Sequence, residues 1–436
     1  MRRRLARLAA EAEVRVLPVA AAGGRGGADE VALLPGVRVV DSPRGANVLL
    51  VVGRVTPALL RPLLHVHDQL PTPRATVWWP VQGDDGEGLR SAIRDIVVAR
   101  RGDGSVLRSV FAELVTGARP SDPPALPDEE PAEWRGVGPY GQGGTGMTGG
   151  VPYGRPLAGR APDPDGLELD QLPLHVGPMF PPFPPGLVLD VQLQGDVIRE
   201  VAVGDNPFLG APGTPRPGGL DTALFVEALR VPQRVATLEV ARARHHLRWA
   251  AGALRLHGLE GDALRLLGLA RALASEHRPA VDALARRLDR HQSLSWATRG
   301  VGVVPPEQVA GGPVARAAGL AVDARLDDPA YDRIGFSPVV HEGGDARARL
   351  RQRLAEAIQA LDLAERAGSS VRQPGPPLEG PRGPLAAGRP LPSVALLGLL
   401  PRLLAGQEWG DAMTTVASLD LDLEEVAVGQ RAVAPA

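Results

Sequence analysis

All 48 basic residues of this 436-residue chain are arginine, and it contains neither a lysine nor a cysteine. Those two absences limit both what can hold the fold together and what chemistry it can carry. Without a thiol there is no disulfide, no cysteine nucleophile, no cysteine zinc site, and no iron–sulfur or nickel–iron centre ligated by this chain. Any metal redox centre must belong to a partner. Without a lysine there is no Walker A phosphate clamp, no Schiff base and no lysine-held pyridoxal phosphate. Kinase and P-loop chemistries are thereby excluded. What is left is ordinary apolar burial, with 44% of residues hydrophobic, and arginine, whose planar guanidinium suits bidentate pairing with carboxylates.

The length suggests two or three domains with ample chain for a core. A formal net charge of -2 and an aromatic content of 3% deny the chain the basic field and stacking surface of a nucleic-acid binder. Arg2, Arg3 and Arg4 are followed by Ala9-Ala10-Glu11-Ala12-Glu13 instead of a long apolar run, which reads as a cytoplasmic start, not a signal peptide. The best apolar stretches, residues 47–64 and 391–404, are broken by arginine and proline and fall short of a membrane span. Membrane contact is expected only through partners, on the cytoplasmic face.

Glycine and proline, 53 and 44 residues, are unevenly spread and help place boundaries. Residues 1–118 read as an α/β domain: short buried strands at 37–40, 48–52 and 75–79 alternate with helices at 57–70, 89–98 and 106–115, the pattern of a small parallel sheet with covered faces. Residues 119–172 show little periodicity and read as a Gly/Pro-rich linker. Residues 173–436 read as a mainly α-helical domain with a small antiparallel β element, the latter an alternating run that turns at Gly195-Asp196. Helical spacing follows over 222–288, broken near Pro232, Gly258 and Pro279, and again over 346–368, 392–405 and 412–416.

Local motifs do not announce an active site. Gly141-Gln-Gly143-Gly-Thr-Gly146 has the letters of a dinucleotide fingerprint but lacks the strand before and the helix after that the fingerprint requires. His65-Val-His67-Asp68 would share a face only on a strand, and its surroundings are helical. Of the pair His245-His246, one histidine can point inward. Asp420-Leu-Asp422-Leu-Glu424-Glu425 and Asp163-Pro-Asp165-Gly166 lack calcium-loop spacing, and the former reads as a solvated acidic edge. No metal site is expected.

Longer strings resemble components of bacterial NADH-quinone oxidoreductase, the complex I family. Ser42-Pro-Arg-Gly-Ala-Asn-Val-Leu-Leu-Val-Val-Gly53-Arg-Val-Thr56, followed by Asp68-Gln69-Leu-Pro-Thr-Pro73, is similar to a segment of the family's B-type subunit. There cysteines hold an iron–sulfur cluster, whereas Gln82 stands near where one of them would fall. Over residues 173–426 the resemblance is to the D-type subunit. It runs through His175-Val-Gly177-Pro178, Glu239-x-x-Arg242-x-x-x-His246-Leu247, Arg299-Gly-Val-Gly302, Gly312-Pro313-Val-Ala-Arg316, Asp323-Ala-Arg325, Pro329-Ala-Tyr331, Gly344-Asp345-x-x-x-Arg349-x-x-x-Arg353, Glu379-Gly-Pro-Arg382-Gly383 and Ala417-Ser-Leu-Asp420. This order implies a fold like the large subunit of the related nickel–iron hydrogenases. The family's quinone-facing histidine is replaced within Pro181-Pro-Phe-Pro-Pro185-Gly186, the segment carrying its tyrosine partner is deleted between Asn206 and Thr222, and the Asp-Arg that closes the family's tail is absent.

The resemblance implies a fused homologue of the B-type and D-type subunits, a peripheral-arm component that assembles with complex-I-like membrane and peripheral subunits. It binds no cofactor of its own, while a quinone can bind in the complex. Phe180, Phe183 and His246 are the quinone-cavity candidates, and no catalytic residue is assigned. Arg242, Arg316, Asp323, Arg325, Asp345, Arg349, Glu379 and Arg382 are expected to form a mainly structural ion-pair network, since buried charges persist only when paired. Two alternatives stay open: a D-type subunit that completes a quinone-reduction site with a separate cluster-bearing subunit, and a non-enzymatic scaffold or assembly protein.

Overall fold

Val48-Leu-Leu-Val-Val52 is apolar throughout and Ala75-Thr-Val-Trp-Trp79 nearly so, as strands covered on both faces must be; both are buried along their whole length. The structure is a computed structural model describing residues 9–128, 158–163, 165–209, 222–375, 377–386 and 391–427. Its first unit runs β1 (Val14–Ala20), α1 (Gly27–Ala32), β2 (Val37–Val39), β3 (Val48–Val52), α2 (Pro57–Asp68), β4 (Ala75–Trp79), α3 (Glu87–Ala92), β5 (Val97–Val98) and α4 (Gly104–Thr116). The sheet is all parallel in the order β2-β1-β3-β4-β5. That order reverses direction at β1/β3, the switch point outside whose strand ends open α/β sheets hold ligands.

Alternate side chains of each strand feed two cores. Val14, Val16, Val48, Leu50, Val77 and Trp79 pack with Leu107, Val110 and Phe111 of α4, while Leu17, Val19, Leu49, Val51 and Trp78 pack with Leu63 of α2 and Leu89 of α3. α2 starts where Thr56 caps the Leu59 N–H and Pro57 takes the first turn, a position that needs no amide donor. At its other end the Asp68 carboxylate accepts the backbone N–H groups of Ala125 and Leu126. This holds the chain as it leaves the sheet.

Two sequence expectations change here. The helix expected over 89–98 stops at Ala92 and the chain re-enters the sheet as β5. The segment expected as linker, 119–172, contributes β6 (Gly159–Pro162) and the start of β7 (Glu168–Val176). These pair antiparallel with β8 (Leu189–Gln194) and β9 (Val197–Val203) in the order β6-β7-β8-β9. The β8–β9 turn falls at Gly195-Asp196 as expected, with Gly195 at φ 63. The Gly141–Gly146 motif lies outside the described residues.

The helical part is built on two helices of 22 residues, α5 (Val235–Leu256) and the later α9 (Ala346–Ala367). Alanines at 243, 250 and 251 on one and at 357 and 360 on the other are fully buried, so the backbones approach closely. Around them pack α6 (Glu260–Arg271), α7 (Arg278–Asp289) and α8 (Gln292–Thr298), with Leu266, Val281, Leu284 and Leu294 closing the core. The last two long helices among the described residues are α10 (Pro392–Leu404) and α11 (Trp409–Leu419). Together with β8, β9 and Leu421, Leu423 and Val426 they form a third core that takes in Ala21, Ala22 and Leu59 from the α/β unit. This junction positions the site. Among the described residues no helix is long and apolar enough to cross a membrane.

Candidate functional site

Between β1 and α1 the chain reads Ala21-Ala-Gly23-Gly24-Arg25-Gly26, a glycine-rich turn at the carboxyl end of the sheet. Gly23 and Gly26 adopt φ 73 and φ 80, and a Cβ on Gly24 would sit 1.9 Å from the Val52 carbonyl oxygen. Only glycine fits at that close approach. Gly24→Ala is therefore expected to destabilise the chain by about 1–3 kcal/mol through overpacking, against no loss for Gly268→Ala, a glycine inside the helix Glu260–Arg271 with open space around it. Urea unfolding of the two variants checks this, and equal midpoints would sink it.

The turn grips the segment that follows α11. The Gly23 N–H donates to Glu424 Oε1 at 3.0 Å, and Arg25 donates to the Leu421 carbonyl at 2.9 Å and to Asp420 Oδ1 at 3.0 Å, with Asp422 at 3.3 Å. The stretch 420–425, expected to be a solvated acidic edge, is buried: Asp420, Asp422, Glu424 and Glu425 are 3%, 2%, 5% and 0% exposed. Arginines from distant segments make that burial tolerable. Arg382 reaches Glu425 Oε1 at 2.7 Å and the Asp420 carbonyl at 2.9 Å, and Arg353 lies 3.2 Å from Asp420 Oδ2. Burial and the charge of Asp422 still push Glu424 up to about 7.

Beside this clasp lies a cleft of about 500 Å³. Its walls are the ends of β1 and β2, the proline-rich segment 178–185, and the facing sides of α5 and α11. Phe180 and Phe183 both line it, packed edge to face at 5.0 Å between ring centroids. Trp249 lines the α5 side; Arg353 lies behind its ring at 4.7 Å, and its Nε1–H donates to the Ala417 carbonyl at 3.0 Å. A mostly apolar cleft with a few placed polar groups suits a small aromatic ligand.

The third cavity candidate, His246, is not in the cleft. Successive residues on a helix diverge by about 100°, so His246 turns into the core, where its Nδ1 meets Arg353 Nη1 at 3.3 Å and its Nε2 lies 3.3 Å from Glu356 Oε2. The cleft histidine is His245, whose Nε2 is 2.6 Å from Asp420 Oδ2. Burial drives His245 down to about 3 and His246 down to about 4. Both are neutral at physiological pH.

Behind α5 the remaining sequence candidates fall into two groups. Arg242 pairs with Glu239 at 3.2 Å and donates to the carbonyls of Glu379 and Gly380; Arg325 pairs with Asp323 at 2.8 Å and Glu239 at 3.1 Å; Arg316 pairs with Glu356 at 2.7 Å, Glu379 at 2.8 Å and Asp323 at 2.9 Å. Against the cost of burial, those carboxylates raise the pKa of Arg316 and Arg325. Asp345 and Arg349 do not join. Asp345 caps α9, accepting from the Ala348 and Gly300 N–H groups, and Arg349 donates to Ser418 Oγ and the Gly344 carbonyl. With neutral partners, burial pulls Arg349 down to about 9. Glu239, Glu356, Tyr331 and Arg353 belong to this charged core and lie outside the expected set. Tyr331 donates to Glu239 Oε1 at 2.6 Å. The i, i+3 spacing of Glu239 and Arg242 on α5 is the signal that points to Glu239.

The remaining motifs are structural. His67 is buried on α2 beside Asp68 at 2.8 Å, while His65 is exposed. Among the described residues no group of histidines and carboxylates is placed to hold a metal ion.

Residues 228–382 match the family described as the respiratory-chain NADH dehydrogenase 49 Kd subunit. Among curated proteins, a D-type subunit of NADH-quinone oxidoreductase from Salinispora tropica is 38% identical over 104 residues, covering 22% of this chain and 27% of that protein. Its counterpart in Syntrophobacter fumaroxidans is 32% identical over 168 residues, 30% and 44% of the two chains, and that of Clostridium beijerinckii 25% over 211 residues, 37% and 57%. The matches thus span from about a quarter to just over half the length of these relatives. Among solved structures, a chain of the membrane-bound sulfane sulfur reductase, an archaeal respiratory membrane complex, aligns with 59% of this chain and 98% of its own at a TM-score of 0.43 and 19% identity. The stretch that carries α5, α9 and the arginine–carboxylate network is therefore similar to the 49 Kd subunit of respiratory-chain NADH dehydrogenase, and the chain to the D-type subunit of NADH-quinone oxidoreductase.

Proposed function

We propose that this chain is a peripheral-arm component of a complex-I-like quinone oxidoreductase, in which the helical part takes the place of the D-type subunit and the α/β unit that of the B-type subunit. The observation that carries the reading is the aromatic cleft between the carboxyl ends of β1 and β2 and the face of α5, formed in a chain whose 228–382 region is similar to the 49 Kd subunit. The B-type half of the reading stands on residues 42–73 alone. With no thiol in the chain, its donor set does not fit an iron–sulfur centre. The electron donor then belongs to a partner. The chain's own contribution is to bind and orient a quinone: Phe180 and Trp249 line an apolar slot, and His245, held by Asp420, supplies a polar contact.

Affinity purification of the tagged chain from detergent-solubilised membranes, with mass spectrometry and a quinone-reductase assay of the eluate, tests this. Membrane subunits and a cysteine-bearing partner should co-purify, and the eluate should reduce a quinone. Co-purification without turnover would favour a scaffold. Recovery of the chain alone from the soluble fraction would end the proposal.

A further inference from the structure

Beside its aromatic wall the cleft has a charged side. Outside the carboxyl ends of β1 and β2, where open parallel sheets hold ligands, it is lined by Arg25, Asp29 and Asp41, and α5 adds Arg248 and Arg255. The charges of Arg255, Arg248 and Arg25 all act on Asp29, which burial pushes up to about 6. Glu30, the other carboxylate acting on Asp29, is paired with Arg101 at 2.8 Å. Three guanidinium groups thus converge on a single carboxyl. A guanidinium has five N–H donors, and Arg25 uses two of them in hydrogen bonds to Leu421 and Asp420. Arg248 is engaged already. Arg255 gives its Nε–H to Glu260 at 3.3 Å, and no hydrogen bond among the described residues reaches its Nη groups, which are not sealed from solvent. Asp41, just past the end of β2, is exposed and accepts no hydrogen bond among the described residues.

We propose that the cleft binds a nucleoside 5′-phosphate, with the phosphate on Arg255 and Arg25, the ribose 2′-hydroxyl donating to Asp41, and the base stacked on Phe180 and Trp249. Each part of that ligand meets the group its chemistry needs. Phosphate oxygens take charge-assisted hydrogen bonds from guanidinium forks. A carboxylate at the end of the second strand, beside a glycine-rich turn after the first, is where parallel-sheet folds hold a ribose hydroxyl. Every base offers a flat face to an aromatic side chain. The inference stands apart from the quinone-site reading, but both ligands use Phe180 and Trp249, so bound nucleotide closes the cleft to a quinone.

The test is isothermal titration of the full chain with AMP, adenosine, 2′-deoxy-AMP and inorganic phosphate. AMP should bind about ten- to a hundred-fold tighter than adenosine and about ten-fold tighter than 2′-deoxy-AMP, the worth of hydrogen bonds to charged groups. Arg255→Ala should remove most of the advantage over adenosine, and Asp41→Ala the discrimination against 2′-deoxy-AMP. Saturating AMP should also weaken the binding of tetramethylbenzoquinone. No binding of AMP, equal affinities for AMP and adenosine, or phosphate alone binding as tightly as AMP would overturn the inference, as would quinone binding that ignores saturating AMP. Titration with tetramethylbenzoquinone alone decides the quinone-site reading separately. Should a variant fail to fold, the titrations of the unmodified chain still decide.

Discussion

Arg316→Ala is expected to lower the stability of the chain by about 3–5 kcal/mol, the cost of leaving buried charge without its partner. Arg316 is fully buried and is the only guanidinium among the described ion pairs to bridge Asp323, Glu356 and Glu379, at 2.9, 2.7 and 2.8 Å. Removing it leaves three carboxylates facing one another, with Arg325 the one guanidinium still ion-paired to any of them among the described residues and Gln352, the Ala324 N–H and neutral His246 as the other contacts. The comparison is Arg101→Ala, whose pair with Glu30 at 2.8 Å is 28% and 29% exposed and so contributes about 0–1 kcal/mol. Arg316→Lys should fall between. An ammonium keeps the charge but cannot offer the flat fork that meets two Glu356 oxygens and Glu379 together. Urea midpoints of the three variants measure this, and equal shifts for Arg316→Ala and Arg101→Ala would refute a stabilising network.

How much of this is legible in the sequence depends on whether the controlling information is local. β3 and β4 announce themselves because five successive residues are buried in each, and the β8–β9 turn because Gly195 supplies a left-handed residue between alternating strands. β1 does not announce itself, although it lies between β2 and β3, because Pro18 argues against an inner strand. The structure resolves the conflict by length. β2 pairs only with Val14–Val16 of β1, so Pro18 lies beyond its last partner on that side and its missing N–H breaks no ladder there. The acidic stretch 420–425 misleads for the opposite reason. Alternating acid and leucine looks like an edge, and what buries it is Arg25, 395 residues from Asp420 in the chain. Pairing at that separation has no local signature. The choice between His245 and His246 is a rotation about the α5 axis, which an arginine-rich helix with charge on its inner face does not display in its apolar pattern.

Acid should act on this chain through His245 and His246. An unfolded histidine titrates near 6.5, and burial holds the folded pair at about 3 and about 4. Below pH 6.5 the unfolded chain therefore takes up two protons that the folded chain refuses. Stability contributed by the neutral pair is present above pH 6.5 and is lost as the pH falls towards 4 and 3. Glu424, held at about 7, and Asp29, at about 6, work the other way. Their folded forms keep protons that the unfolded chain has released, so they add stability in acid and lose it as the pH rises through those values. The whole-protein profile between pH 4.5 and 6 is consequently shallow, and the histidine effect is visible only as a difference. His245→Gln should destabilise the chain at pH 7 and do so by about 3 kcal/mol less at pH 4, measured by urea unfolding of both proteins at the two values. Glu424→Gln should show the reverse dependence. Equal destabilisation by His245→Gln at pH 7 and pH 4 would mean that the folded His245 titrates as it does in the unfolded chain, and greater destabilisation at pH 4 would mean that it is already an imidazolium against Asp420.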